Sequence, residues 1–260
     1  MKIHSSWLAA EEEEIPLFWA DPEDMKDAEE QELLWTLGEA ERDRWHRFRS
    51  RDSRRQFALS HALLRFGLFQ LLELGPSDWE LVYEPGGRPT VCIDGATAAP
   101  QISLSHTQSL VVCAFSPRNR IGVDAEWVHR GLSLPALAKT VLSRSERVAI
   151  DEIHNQEEKE LLFYRFWCLK EALLKATGLG LTVSPEELEF RVSCQREPEL
   201  ISYPPEKGME SSHFFHLETL RDNHICCVCL AGPTAKRFKV RWNQAAPKEI
   251  CENLKGYPST

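Results

Sequence analysis

The chain has 260 residues, of which 42% are hydrophobic and 27% charged, and its formal net charge at pH 7 is −9. These proportions are typical of a globular protein and exclude a disordered or fibrous class. No apolar run reaches the roughly 18 to 20 residues that span a bilayer, so we expect no membrane partner. The acidic start, Glu11 to Glu14, lacks the regions of a signal peptide, which predicts a cytoplasmic location. The negative charge argues against nucleic acid as a partner.

Eight cysteines are present, and in a reducing compartment we expect them to stay free thiols. Three of them stand close together at Cys226, Cys227 and Cys229, where a zinc site is one interpretation. The cluster has no second pair at ligand spacing, and Ile, Val and Leu flank it. It therefore predicts a buried strand in which cysteine acts as a small hydrophobic residue.

The first part of the chain predicts two helices followed by short strands. Hydrophobic residues at helical spacing indicate one helix from about Glu29 to Phe48 and a second from about Ser53 to Leu74. Four short apolar runs separated by turn residues indicate strands, the first two forming a hairpin around a Pro-Gly-Gly turn. These strands are expected at 81–83, 91–93, 102–105 and 110–115.

The second part predicts the same kinds of element again. A strand from Ile121 to Val128 precedes helices from about Ser133 to Leu142 and from Glu157 to Thr177. Further strands are expected at 188–192, 214–220, 225–230 and 238–242. The Pro- and Glu-rich segment from Arg196 to Ser212 predicts a loop, and the tail after Ala245 is expected to be poorly packed.

Helices with a small antiparallel sheet, occurring twice, predict the α+β class. We expect an N-terminal half over residues 1–118, a C-terminal half over 119–245 and a tail over 246–260.

Seven arginines crowd into 14 residues of this acidic chain. Because arginine forks match phosphate oxygens, the cluster predicts either phosphate recognition or a helix face that exchanges ion pairs with neighbouring acids. We expect the second role for most of them and a binding role for one or two. The seven are Arg42, Arg44, Arg47, Arg49, Arg51, Arg54 and Arg55.

The strand-like run Ile121 to Trp127 carries acids at alternate positions, Asp124 and Glu126. Side chains alternate faces along a strand at about 3.3 Å per residue, so the two Cα atoms should lie roughly 7 Å apart on one face. Both carboxylates could then converge on one cation. A solvated acidic edge is the alternative.

The helix from Glu157 to Thr177 supplies a third acid, Glu171, which lies between Lys170 and Lys175. Alone this spacing predicts a surface Glu–Lys pair. Together with the acids of the strand it offers three oxygen ligands and two cations. That set suits Mg²⁺ and a phosphate-rich ligand, since Mg²⁺ prefers octahedral coordination by oxygen.

The two segments resemble the paired signatures of the 4′-phosphopantetheinyl transferases, (I/V)G(V/I)DxE and (F/W)xxKEAxxK. The matching residues are Gly122-Val-Asp-Ala-Glu126 and Trp167-Cys-Leu-Lys-Glu-Ala-Leu-Leu-Lys175. Length and three accessory stretches resemble the larger, monomeric Sfp-type branch of this family. These stretches are Arg44 to Phe48, the turn Gly87, Arg88 and Pro89, and Ile102 to Thr107.

The resemblance implies a pseudo-dimer of two similar α+β halves with coenzyme A, the co-substrate, in a cleft between them. It implies that Asp124, Glu126 and Glu171 hold Mg²⁺, or Mn²⁺ in its place, against the pyrophosphate. Contacts to coenzyme A are implied for Arg44, Gly87, Arg88, Pro89, Ser105, His106, Asp124, Glu171 and Lys175. His106 has the alternative role of a turn histidine bonded to the backbone.

One departure from the family pattern concerns the basic helix. A second basic residue that the family carries before Arg44 falls near Glu41 here. The phosphate contact made there would need Arg42 or Arg47 as a substitute.

The implied reaction transfers 4′-phosphopantetheine from coenzyme A to a serine of an apo acyl or peptidyl carrier protein and releases 3′,5′-ADP. Glu171 is expected to be the base, directly or through a water on the metal, and Lys170 is a competing candidate. Because such carriers are usually acidic, like this chain, we predict a local basic or apolar docking patch around Arg51 to Arg55 and Gly131 to Leu134.

Two other functions compete with this one. A metal-dependent nuclease of the PD-(D/E)xK kind also uses paired acids and a lysine, but position 128 is Val, and the net charge disfavours DNA. A non-catalytic scaffold that binds coenzyme A or a carrier protein is the second. The three carboxylates and both lysines favour an enzyme over the scaffold.

Overall fold

The structure is a computed structural model that describes residues 7, 14–84, 87–93, 99–128, 134–193, 196–204, 212–220 and 223–255, without the side chains of 76, 134–136 and 181. The chain divides into two compact units. The first contains Met1–Tyr83, Pro89–Arg118 and Val240–Thr260, and the second contains Glu84–Arg88 and Asn119–Lys239.

The regular elements follow one another in runs of helices and runs of strands, as is typical of an α+β protein. The described strands are β1 (Glu14–Ala20), β2 (Trp79–Tyr83), β3 (Pro89–Ile93), β4 (Gln101–Thr107), β5 (Leu110–Ser116), β6 (Arg120–Trp127), β7 (Glu189–Ser193), β8 (Arg196–Ser202), β9 (Ser212–Thr219), β10 (His224–Gly232) and β11 (Lys239–Gln244). The described α-helices are α1 (Asp27–Leu34), α2 (Glu39–Arg47), α3 (Arg51–Leu72), α4 (Leu134–Val141), α5 (Arg144–Asp151), α6 (Gln156–Thr177) and α7 (Pro247–Leu254).

The first unit packs the long helix α3 on a sheet with the order β11-β1-β5-β4. The Phe18 ring of β1 meets the rings of Phe66 and Phe115 edge-on, at centroid distances of 5.8 and 5.7 Å. Gly67 lets α3 approach the sheet, because a Cβ there would lie 2.3 Å from the Phe115 ring. The predicted hairpin is confirmed, since β2 pairs with β3 in antiparallel register.

The second unit packs α6 on the antiparallel sheet β6-β10-β9. Every residue of β10 is buried, which confirms that the cysteine cluster forms a buried strand. Cys227 lies opposite Asp124 of β6 in the strand register. The α+β class with small antiparallel sheets and packed helices is confirmed.

The single helix expected from Glu29 to Phe48 is wrong, because the chain forms α1 and α2 instead. Gly38 directly precedes α2, and its N–H donates to the Glu41 carboxylate at 2.6 Å. This bond caps the new helix at its N-terminus, where backbone N–H groups lack partners within the helix.

Two segments predicted to be irregular are regular. The loop expected over Arg196 to Ser212 begins with β8, which pairs with β7; residues 205–211 lie outside the described part. The tail after Ala245 contains α7, whose Ile250, Cys251 and Leu254 are buried in the core of the first unit. Backbone pairing stabilises the first segment, and an apolar helix face stabilises the second.

Within the described ranges, no helix has both the length and the apolar character that crossing a bilayer requires.

Candidate functional site

Strand β6 and helix α6 approach each other closely at Gly122. A Cβ at this residue would lie 1.9 Å from the carbonyl oxygen of Ala172 and 2.5 Å from the backbone nitrogen of Ala176. Side chains at alternate strand positions share a face, so Asp124 and Glu126 lie on the face that Gly122 turns to the helix. The glycine therefore brings the two acids to α6.

Asp124 is buried, and an ion pair links it to α6. The Lys175 ammonium donates to Asp124 Oδ1 at 2.7 Å and to the Val123 carbonyl at 3.0 Å. Burial alone would lower the pKa of Lys175, but the Asp124 charge and hydrogen bond outweigh it and raise that pKa. A charged ammonium is thus fixed beside the acids.

Glu126 and Glu171 both hold their protons more tightly than ordinary glutamates. Burial, aided by the charges of Asp124 and Glu171, raises the pKa of Glu126 to about 7, against the opposing effect of Lys175. Burial and the Asp124 charge likewise raise the pKa of Glu171. The structure therefore brings the three predicted acids into one repelling group with one lysine.

Trp167 is a polar partner that the motif contains but the sequence reasoning did not use. Its indole N–H donates a hydrogen bond to the Glu126 carboxylate. Its position in the sequence could have predicted this role, because Trp167 lies one helical turn before Glu171 on the same face of α6.

The three acids offer the hard oxygen donors that suit Mg²⁺, and a divalent cation would relieve their mutual repulsion. The donor chemistry thus fits. Across the described ranges, however, no three acid, histidine or cysteine side chains converge into a ready-made metal group. One oxygen of Asp124 already accepts from Lys175. The metal-binding roles of Asp124, Glu126 and Glu171 stay a prediction.

The contacts of Lys170 argue against the prediction that it competes with Glu171 as the base. Its side chain is fully buried, and its ammonium donates to Glu146 Oε2 at 2.5 Å and to the carbonyls of Val141 and Pro185 at 2.7 and 3.0 Å. These three acceptors take all three N–H groups, so the ammonium is a structural donor. None of the three belongs to the acid group around Asp124.

The predicted turn residues Gly87, Arg88 and Pro89 precede or begin β3. Gly87 has φ +81°, a conformation that favours glycine, and it donates to the Glu84 carbonyl at 2.8 Å. Arg88 is buried and lies 3.5 Å from the Glu84 carboxylate. Burial and the charge of Arg120 lower the pKa of Arg88, and Glu84 partly offsets them.

Arg120 extends this group to the C-terminus of α6. It donates to the carbonyl of Thr177 at 2.9 Å and lies 3.6 Å from Glu84. Sequence reasoning passed over Arg120, although it directly precedes the acidic motif. Two arginines around one glutamate therefore leave a net positive charge near the end of α6.

The remaining predicted contacts, Arg44, Ser105 and His106, belong to the first unit. Arg44 is exposed on α2, with its guanidinium 5.5 Å from the centre of the Phe57 ring. On β4, Ser105 is buried and His106 is exposed, opposite Val112 and Val111 of β5. Their roles in binding stay predictions.

The predicted docking patch is only partly described. Arg51 pairs with Asp27, and Arg55 Nε lies 3.2 Å from Glu30, which agrees with the ion-pair interpretation for these arginines. Residues 131–133 and the side chain of 134 lie outside the described part.

Comparison with known proteins shows where the chain has relatives. Residues 120–229 match the family model of the 4′-phosphopantetheinyl transferase superfamily. The chain is 31% identical over 214 residues to the 4′-phosphopantetheinyl transferase HetI of Nostoc sp., covering 82% of this chain and 86% of that protein. It is 26% identical over 164 residues to the 4′-phosphopantetheinyl transferase Sfp of Bacillus subtilis, covering 63% and 70%.

Among solved structures, the holo-ACP synthase of Plasmodium yoelii is similar to part of the chain. The match has a TM-score of 0.37 and 21% identity, and it covers 44% of this chain and 94% of that one. The residues that match the family model include the whole of β6 and α6, the elements that carry the acid and lysine group.

Proposed function

The chain belongs to the 4′-phosphopantetheinyl transferase superfamily and is an enzyme of that class, and we propose that it transfers 4′-phosphopantetheine from coenzyme A to a serine of an apo acyl or peptidyl carrier protein. The observation that carries the proposal is the group formed by Asp124, Glu171 and Lys175 on β6 and α6. A half-buried ammonium beside clustered acids suits a reaction at a phosphate.

In the proposed reaction the serine Oγ forms a bond to the phosphorus on the pantetheine side of the pyrophosphate. The bond from that phosphorus to the bridging oxygen breaks, and 3′,5′-ADP leaves with the electron pair. Glu171 accepts the proton of the serine hydroxyl, a role that Lys170 cannot fill while it donates to three acceptors. Lys175 neutralises charge on the phosphate oxygens.

Asp124, Glu126 and Glu171 are the residues that would hold Mg²⁺, or Mn²⁺, in this proposal. When bound, the ion would supply positive charge to the pyrophosphate oxygens. Asp124 orients Lys175 through its hydrogen bond, and Trp167 orients Glu126.

The phosphates and nucleotide of coenzyme A are proposed to contact residues outside the acid group. Arg88 is supported by its buried place beside Glu84 and Arg120, because a guanidinium there is fixed in orientation. Further contacts are proposed for Arg44, Gly87, Pro89, Ser105 and His106.

The test is transfer to an apo carrier protein, measured by mass spectrometry. Wild type with coenzyme A and Mg²⁺ should add the mass of one phosphopantetheine group to the carrier serine. Asp124→Asn and Glu171→Gln should each lower the rate about 100-fold or more, since they remove charge at the reacting centre. Glu158→Gln, on an exposed part of α6, is the matched control and should keep the wild-type rate.

A wild-type rate in Asp124→Asn at saturating Mg²⁺ would contradict the role of the acids. Binding of coenzyme A without transfer to any of several apo carriers would instead support the non-catalytic scaffold.

The cytoplasmic location and the monomeric state are parts of the same proposal. Light scattering after size-exclusion chromatography should give the mass of one chain, and a dimer mass would contradict the second part.

A further inference from the structure

The first unit contains a pocket of about 290 Å³ beside α2. Aromatic residues and two arginines line much of it. The lining includes Glu41, Arg44, Phe57, Arg65, Trp79 and Tyr83. Arg65 lies over the Trp79 ring, 5.4 Å from its centre, whereas Arg44 lies over Phe57 at 5.5 Å and hydrogen-bonds to Tyr83. The pocket thus presents cations held against aromatic walls.

Three acids line this pocket, Glu39, Glu41 and Glu80, and the carboxylate of Glu41 is bonded to residues of the same unit. This carboxylate accepts from the Gly38 N–H at 2.6 Å, from Arg65 Nη2 at 2.5 Å and Nη1 at 3.1 Å, and from His61 Nδ1. The Glu41 side chain is only 11% exposed. These bonds join the start of α2 to two residues of α3.

The carboxylate of Glu41 stays ionised in this setting. Burial raises its pKa, but the His61 hydrogen bond and the charges of Arg65 and His61 outweigh burial and lower the pKa to about 2. Because buried charges are stabilised by fixed partners, Glu41 holds its geometry more firmly than an exposed acid would.

Helix α2 needs such an anchor. It has nine residues, and none of its side chains is fully buried. Helices this short are marginal without tertiary contacts. Arg44 lies three residues after Glu41, so the orientation of its guanidinium depends on how the first turn of α2 is held against α3.

We propose that Glu41 is a positioning residue for coenzyme A, fixing α2 on α3 so that Arg44 presents its guanidinium to a phosphate of the ligand. The inference rests on the proposed function. It also explains the acid at the place where the resemblance leads one to expect a base. The Arg65 guanidinium compensates the charge of Glu41 within the unit, so Glu41 adds little repulsion of a phosphate.

The test is a double-mutant cycle on the KM for coenzyme A in the transfer assay. Arg44→Ala should raise this KM about tenfold or more, since it removes a charge-assisted hydrogen bond. Glu41→Gln should raise it about fivefold and leave kcat within about twofold. In the double variant the KM should match that of Arg44→Ala alone. Glu41 acts only by positioning Arg44, so its loss has no further effect once Arg44 has been removed. Asp43→Asn, on an exposed part of the same helix, is the control and should keep the wild-type KM.

A merely structural role would give a different pattern. If the two effects multiplied in the double variant, or if Glu41→Gln kept the wild-type KM, the inference would be wrong. Circular dichroism at the assay temperature shows whether Glu41→Gln folds. If it does not, His61→Ala removes one partner of Glu41 and should raise the same KM by a smaller factor; an unchanged KM would overturn the inference.

Direct calorimetric titration with coenzyme A separates the inference from the proposed function. If wild type binds coenzyme A without transfer, and Glu41→Gln weakens that binding, the positioning role holds while the transferase proposal fails. If wild type transfers the group, and Glu41→Gln binds as tightly as wild type, the positioning role fails alone.

Discussion

At Gly122 the missing side chain determines how close β6 and α6 can lie. The Ala172 carbonyl occupies the space that a Cβ would need. The backbone nitrogen of Ala176 lies next to it. Both are backbone atoms, which cannot move aside as a flexible side chain can. The spacing of the whole acid and lysine group therefore depends on this residue.

We expect Gly122→Ala to lower the free energy of unfolding by about 3 kcal/mol or more, because overpacking against backbone forces the helix away from the strand. Urea denaturation measures the change. Gly38→Ala is the control, since its Cβ would lie 3.4 Å from the nearest atom, and it should cost no more than about 1 kcal/mol. Equal losses in the two variants would contradict the steric explanation.

Lys170 and Lys175 show how far the contacts of single side chains could be predicted from the sequence. Both flank Glu171 in the motif, yet Lys175 joins the acids and Lys170 is buried elsewhere. Periodicity did contain the signal, because Lys170 lies four residues from the buried Phe166 and Leu174. The buried acceptors of Lys170 could not be predicted, since they come from distant segments.

Those distant segments make Lys170 a connection between elements. Its acceptors are the last residue of α4, an acid of α5 and a carbonyl that precedes β7. Glu146 of α5 also accepts from the Phe190 N–H at 2.8 Å. A helix that was not predicted, α5, thus carries the central acid. Its signal was the Ser143 and Glu146 capping box, in which the Ser143 N–H donates to Glu146 at 2.8 Å.

Lys170→Met should lower the free energy of unfolding by about 3–5 kcal/mol, because it leaves the Glu146 charge buried without its ammonium. The double variant Lys170→Met with Glu146→Gln should recover part of the loss. Lys139→Met, exposed on α4, is the control and should change stability little. Loss of transfer with wild-type stability would restore the predicted role of Lys170 as base.

Helix α2 has its own electrostatic anchor, and the pH dependence of stability should reveal it. The folded-state pKa of Glu41 is about 2, below its ordinary value of 4.5, so its contribution is present above pH 4.5 and lost as pH falls towards 2. The contribution is on the order of 3 kcal/mol at most.

Urea denaturation between pH 6 and 3 should therefore show a shallower fall in stability for Glu41→Gln than for wild type. Asp43→Asn, an exposed acid of the same helix, should follow the wild-type curve. Parallel curves for wild type and Glu41→Gln would contradict this, because they would show that Glu41 has the same pKa in the folded and the unfolded state.

The whole chain is arranged less simply than two consecutive halves. Local periodicity predicted most strands and the long helices, because those patterns are set within a few residues. It could not assign β11 and α7 to the first unit, since only contacts with Trp19 and other residues far away in sequence decide that. The return of the chain to the first unit at Val240 therefore depends on long-range contacts. The local sequence pattern alone places the residues of β11 in a second half and those of α7 in a tail.

The net charge of −9 should affect how the whole molecule meets a carrier protein. An acidic carrier protein would meet long-range repulsion, while exposed arginines such as Arg47 and Arg49 would attract it locally. Salt screens both, with a Debye length of about 10 Å at 0.1 M. We therefore expect kcat/KM for the carrier to change by less than about threefold between 50 and 300 mM NaCl, measured with coenzyme A saturating. A tenfold fall in kcat/KM over this range would show that local attraction dominates. In that case the double variant Arg47→Gln with Arg49→Gln should make kcat/KM less dependent on salt.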